Sequence, residues 1–128
     1  MADIVPAGTA LCQLADIPDG DTKGFRLGEG EWPLRGFLVR AGDAVQGFVN
    51  RCPHAGHQMS FRPDRFLTPD KQLILCQSHG ALFDKVSGAC VAGPCVGEAL
   101  TRVPVVVAGG SVQLATDIDI DSLATRYW

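Results

Sequence analysis

Two short pairs, Cys52-Pro-His54 and Cys76-Gln-Ser-His79, constrain this chain more than any other feature. Each brings one thiolate and one imidazole toward a common centre, and 21 residues separate them. A backbone that delivers both pairs to one point has to fold two loops against each other. Thiolates and imidazoles are soft and borderline ligands that suit zinc or an iron-sulfur cluster, whereas calcium and magnesium ask for oxygen. Two thiolates and two imidazoles would close an ordinary structural zinc site. The usual zinc spacing, however, groups like with like, and here each pair is mixed. On a binuclear rhombus mixed pairs have a plain reading, with Cys52 and Cys76 on one iron and His54 and His79 on the other. Spacing alone leaves both metals open.

The rest of the chain reads as short strands punctuated by glycine and proline, with little helical period. Leu11 to Ile17 and Lys23 to Leu27 read as strands joined by the turn-rich Pro18-Asp-Gly-Asp21. Gly36 to Arg40 and Ala44 to Asn50 read as a hairpin around Ala41-Gly-Asp43, delivering the first pair. Gln72 to Cys76 is a short apolar strand leading into the second pair, followed by Ala81-Leu-Phe83. Val103 to Val107 and Ser111 to Ala115 form another hairpin about Gly109-Gly110. The expectation is an all-β sandwich or barrel with the ligand loops as a small lobe at one end.

The residues around the pairs carry a resemblance. Cys52-Pro-His54-Ala-Gly56-His57, with Cys76-Gln-Ser-His79-Gly80-Ala-Leu-Phe83-Asp84, closely resembles the Rieske iron-sulfur family. Ser87-Gly88 followed by Gly93-Pro94 looks like that family's third, proline-bearing loop. The likeness runs over residues 10 to 115, nearly the whole chain, so residues 1–128 are expected to form a single Rieske domain. Its ligand loops fall at residues 50–60 and 75–84, and a tail follows at 117–128. The segment from Gln58 to Leu75 is a few residues longer than in the family's compact ferredoxins.

The resemblance implies one Rieske-type [2Fe-2S] cluster bound by Cys52, His54, Cys76 and His79. Two neutral imidazoles in place of two thiolates make the cluster less negative and raise its potential above that of an all-cysteine ferredoxin. Gly56 and Gly80 would allow tight turns and bring backbone N–H groups toward the sulfurs, and Pro94 would shield the cluster from water. The histidine edge is the exposed one in the family, which makes His54 and His79 the expected exit for electrons. The respiratory members have an additional cysteine in each ligand loop, where this chain has His57 and Ser78, so no bridge forms there. They also carry hydroxyls where this chain has Ala81 and Phe83. Fewer donors place the expected potential toward the lower end of the Rieske range of about −150 to +300 mV.

Composition agrees with a small carrier. Hydrophobic residues make up 46% of 128, enough for one modest core. A formal net charge of −3 gives no basic field for nucleic acid or an anionic membrane. No run of 18 apolar residues occurs, and Met1-Ala-Asp-Ile-Val-Pro6 lacks the basic start of a signal peptide; the expected location is the cytoplasm. A reducing compartment argues against disulfides among Cys12, Cys90 and Cys95. Cys12 reads as a small core residue. Cys90 and Cys95 flank the third loop and read as packing residues, with a redox-sensitive pair as the alternative. His57 reads as a polar residue near the cluster rim.

Function follows partly by exclusion. Once the ligands are assigned only His57 is left of three histidines, too few for the mononuclear iron of a Rieske oxygenase. The chain is expected to have no catalytic centre of its own. It would act as a one-electron carrier from a flavin reductase to a terminal oxygenase or other redox enzyme; the alternative is an accessory subunit of a larger oxidoreductase, such as a nitrite reductase or oxygenase complex. Phe61-Arg-Pro-Asp-Arg-Phe66-Leu-Thr-Pro-Asp70 reads as a solvated loop tucked down by its phenylalanines, with a docking surface as the alternative. The oligomeric state is left open, as is the packing of the terminal Tyr127-Trp128.

Overall fold

The structure, a computed structural model, describes residues 4–28, 34–51, 64–77, 80–93 and 96–120. Eleven strands and one 3₁₀ turn are the named regular elements among them, which makes the fold all-β as expected. In chain order the strands are β1 (Ile4–Val5), β2 (Ala10–Gln13), β3 (Thr22–Leu27), β4 (Leu34–Ala41) and β5 (Ala44–Val49). They continue with β6 (Ile74–Leu75), β7 (Leu82–Phe83), β8 (Cys90–Ala92), β9 (Val105–Ala108), β10 (Ser111–Leu114) and β11 (Ile118–Asp119). They pair into four small sheets, ordered β1-β11, β2-β10-β9, β3-β4-β5 and β6-β7-β8. None closes on itself, so of the two expected architectures the layered one is found, not the barrel.

The sheet β3-β4-β5 is the middle layer, and β4 shows why. Phe37, Leu38 and Val39 are successive and all essentially excluded from solvent, a run that only a strand covered on both faces can hold. Side chains alternate across a strand. Phe37 and Val39 therefore enter one core with Phe48, Phe66, Ile74, Cys76 and Phe83, while Leu38 enters another with Ile17, Val45 and Val112. One face carries the β2-β10-β9 side of the molecule and the other the small sheet β6-β7-β8. A third core joins Leu27, Leu34 and Val49 to Val103, Leu114, Ile118 and Ile120.

Two hairpins stand where the sequence places them. Ala41 faces Ala44 across a two-residue turn at Gly42-Asp43, and Ala108 faces Ser111 across Gly109-Gly110, both with positive φ. Elsewhere the boundaries differ. The strand expected from Leu11 to Ile17 ends at Gln13 and becomes a 3₁₀ turn over Leu14–Asp16, because the Asp16 carboxylate accepts the Gln13 N–H at 2.9 Å and pulls the chain round. The start of the tail packs on its own domain: β11 pairs with β1, and Ile118 and Ile120 are buried; Tyr127 and Trp128 lie outside the described residues. No helix among the described residues is long and apolar enough to cross a membrane.

Candidate metal centre

The second ligand loop grows out of the β6-β7 hairpin. Ile74 faces Phe83 and Leu75 faces Leu82, so the chain leaves β6 at Cys76 and returns at Ala81. Two backbone bonds close this tip: the Cys76 N–H donates to the Ala81 carbonyl and the Gly80 N–H to the Cys76 carbonyl, each at 2.9 Å. Gly80 has φ 72°, a left-handed conformation that glycine adopts without strain. The turn role foreseen for Gly80 is therefore present, while its N–H is directed to a carbonyl. Cys76 itself is 0% exposed and packs in the core beneath the small sheet. Its sulfur is unbridged, and its burial would screen a thiolate ligand here from water.

The first ligand loop leaves the end of β5. The Asn50 N–H donates to the Arg35 carbonyl at 2.9 Å and the Arg51 N–H to the Val49 carbonyl at 2.9 Å, holding the chain to the middle sheet up to the residue before Cys52. Cys52, His54, Gly56, His57, Ser78, His79, Pro94 and Cys95 lie outside the described residues. Of the four candidate ligands the structure thus describes the setting of Cys76. Its burial and unbridged state fit the donor set inferred from the sequence.

The third loop is pressed onto the second. Gly93 has φ 96°, and a Cβ there would come within 2.8 Å of Ala81 Cα, so only a bare backbone lets the strand end at β8 approach so closely. At the opposite end of the lobe the β7-β8 turn is wound around Asp84. Its carboxylate accepts the Val86 and Ser87 N–H groups at 2.9 and 2.7 Å, and those bonds, that from Ser87 foremost, hold the Asp84 carboxyl below the usual carboxylate range. The turn is then stitched to the middle sheet by Arg102, whose guanidinium lies 5.3 Å over the Phe48 ring. It donates to the Val86 carbonyl at 2.7 Å and also to Gln46 Oε1. Neither the Gly93 contact nor the Arg102 clamp was foreseen, since both depend on partners far away in sequence.

The remaining cysteines differ in setting. Cys90 is buried in the same core as Cys76, its thiol directed at the Ala92 carbonyl at 3.3 Å, in keeping with a packing role. Cys12 is half-buried, and burial, aided by the charge of Asp16, raises its thiol above the ordinary value, so it is poor in thiolate. From Asp64 on, the long segment between the ligand loops is anchored to the middle sheet. Asp64 accepts the Gly24 N–H of edge strand β3 at 2.7 Å, and its carbonyl accepts the Thr22 hydroxyl at 2.8 Å. Phe66 stacks on Phe37 at 4.3 Å between centroids with an interplanar angle of 8°, so the tucked-down reading holds for Phe66; Phe61 lies outside the described residues.

Comparison with known proteins accords with this geometry. The family model for the Rieske [2Fe-2S] domain matches residues 8–113. Among solved structures, the chain is similar to the ferredoxin of carbazole 1,9a-dioxygenase from Nocardioides aromaticivorans IC177. The identity is 25% with a TM-score of 0.65, covering 85% of this chain and 97% of that one. It is similar also to the Sphingomonas yanoikuyae B1 ferredoxin, at 26% identity and a TM-score of 0.63, covering 85% and 98%. A third likeness is to a chain in the complex of reduced oxygenase and oxidized ferredoxin in carbazole 1,9a-dioxygenase, at 26% identity and a TM-score of 0.61, covering 83% and 90%. No curated protein sequence matches.

Proposed function

For a chain that belongs to the Rieske [2Fe-2S] family, we propose the role of a one-electron carrier that receives electrons from a flavin reductase and passes them to an oxygenase. The observation that carries this reading is the likeness to the Nocardioides ferredoxin of carbazole 1,9a-dioxygenase over 97% of that chain's length. The residues that would hold the cluster are Cys52 and Cys76 on one iron and His54 and His79 on the other. Bound there, the cluster supplies a ferric/ferrous couple of one electron.

The protein's own part is to seat, screen and tune. Cys76 would present its sulfur from a fully buried position, while the two backbone bonds across the tip hold the backbone that carries it. Ala81, buried under Gly93, offers no hydroxyl to the second loop, and Phe83, also buried, offers none either. A site short of donors stabilises the more negative reduced form less, which favours a low potential within the family. Ala81→Ser supplies such a donor and is expected to raise the potential; an unchanged midpoint in a redox titration would count against the argument. We take residues 1–128 as one functional unit working in the cytoplasm.

The carrier role is tested by anaerobic mixing. The purified protein should be reduced through an NADH-dependent flavin reductase and then reoxidised by the carbazole 1,9a-dioxygenase oxygenase component, with one electron passed per chain. Reduction by neither reductase nor dithionite, or constant co-purification with a larger catalytic subunit, would speak against a free carrier.

A further inference from the structure

A cleft of about 640 Å³ opens beside the second ligand loop. One wall is the long segment between the ligand loops, through Asp64, Arg65, Thr68 and Lys71, and the other includes Leu75 and Gln77. Gln77 directly follows Cys76 in the chain, so whatever fills this cleft stands next to a ligand loop. The walls are fixed in advance. Asp64 is tied to β3 by two hydrogen bonds, and Phe66 is locked by its stack on Phe37, so little ordering is needed on docking.

The charges of the cleft are unequal in availability. Within the lining, Lys71 Nζ is 3.1 Å from Asp21 Oδ2, and the other acid, Asp64, has Lys23 Nζ, from β3 outside the lining, 4.0 Å from its Oδ2; each acid of the cleft thus has a cation of this chain beside it. Arg65 is exposed and, among the described residues, enters neither ion pair. Its planar fork matches a carboxylate with two parallel hydrogen bonds. Half-buried Leu67 and Leu75 supply apolar surface beside it.

Resting on the carrier reading, we propose that this cleft receives a carboxylate-bearing loop of the protein that accepts the electron, with Arg65 as the anchoring cation. The acceptor's acid pairs with Arg65, its apolar neighbours lie on Leu67 and Leu75, and the docked loop reaches Gln77, the residue after Cys76. An opposite charge at this point steers the encounter, and its influence falls with salt.

The test uses the reduced holoprotein and two protein probes of opposite charge, native cytochrome c, which is basic, and succinylated cytochrome c, which is acidic. Arg65→Glu is compared with Arg26→Glu, an exposed residue on β3 outside the cleft lining that makes the same change in net charge. At low salt Arg65→Glu should slow reduction of the acidic probe by about tenfold and Arg26→Glu far less, while the basic probe is not slowed. The gap between the two variants should close at high salt, with cluster spectrum and midpoint potential unchanged. Equal slowing by both variants, or no slowing by Arg65→Glu, would overturn the assignment. A wild-type protein that shows no Rieske signal before any probe is added would instead remove the carrier reading beneath it.

Discussion

The middle sheet and the cluster lobe are both antiparallel three-stranded sheets, yet they are held in different ways. In β3-β4-β5 the strands run six to eight residues and pair in continuous register from Thr22↔Val39 to Leu27↔Leu34 and from Gly36↔Val49 to Ala41↔Ala44. The lobe β6-β7-β8 has strands of two or three residues with a register shift at Leu82/Phe83. Ladders that short are not self-sustaining. The lobe is kept by what it leans on: the shared core of Phe37, Phe48 and Phe66, the Arg102 clamp and the close contact of Gly93 on Ala81. A stable platform and a dependent lobe are a sensible division for a carrier. The platform fixes the loops, and the lobe is free to be shaped by its ligands.

The comparison is broken most severely by removing a ligand. Cys76→Ser should abolish cluster incorporation and melt the lobe, because binding and folding of the loops are coupled. The platform should keep its strand content, to be followed by iron analysis and by amide hydrogen exchange. If lobe and platform amides lost protection together, the two regions would be one cooperative unit and the division would be wrong. Phe66→Ala removes the Phe37 stack that joins the two and should destabilise by about 3 kcal/mol, read as a lower midpoint in denaturant with the cluster retained in native buffer. Gly93→Ala introduces a Cβ that would meet Ala81 Cα at 2.8 Å, at φ 96°. A loss of about 1–3 kcal/mol, with faster bleaching of the cluster in air, is the expected result; wild-type behaviour in both assays would show that the third loop does not bear on the second.

The smallest effect concerns pH. Asp84 has its carboxyl lowered in the folded protein by the Ser87 and Val86 N–H groups. The stability this contributes is present above the unfolded carboxylate pKa of about 3.9 and is lost as pH falls through the lower folded value. In Asp84→Asn the thermal midpoint should therefore fall less steeply on acidification below about pH 4 than in the wild type. Superimposable acid limbs would mean that the turn does not depend on the charge.

The platform was largely legible in the sequence because its signals are local. A continuous apolar run at Phe37-Leu38-Val39 and glycine turns at residues 42 and 109–110 announce themselves within a few residues. The lobe was legible in part: the apolar run from Gln72 to Cys76 and the stretch Ala81-Leu-Phe83 point to β6 and β7 on either side of the second pair, but their two-residue strands are shorter than the runs suggest, and β8 passed unnoticed beside the third loop. Contacts made across the fold left no local trace. Ile118 and Ile120 belong to the core only because the tail returns to Ile4–Val5, and Arg102 acquires its role from Phe48, Gln46 and Val86, which lie 54, 56 and 16 residues away in sequence.

The measurement that bears most directly on the carrier reading is low-temperature EPR of the anaerobically purified protein after dithionite reduction, with iron and acid-labile sulfide assayed on the same sample. A rhombic Rieske-type signal with two irons and two sulfides per chain is predicted. An EPR-silent protein containing zinc instead of iron would show that the paired cysteines and histidines build a structural metal site, and the electron-carrier account would fall.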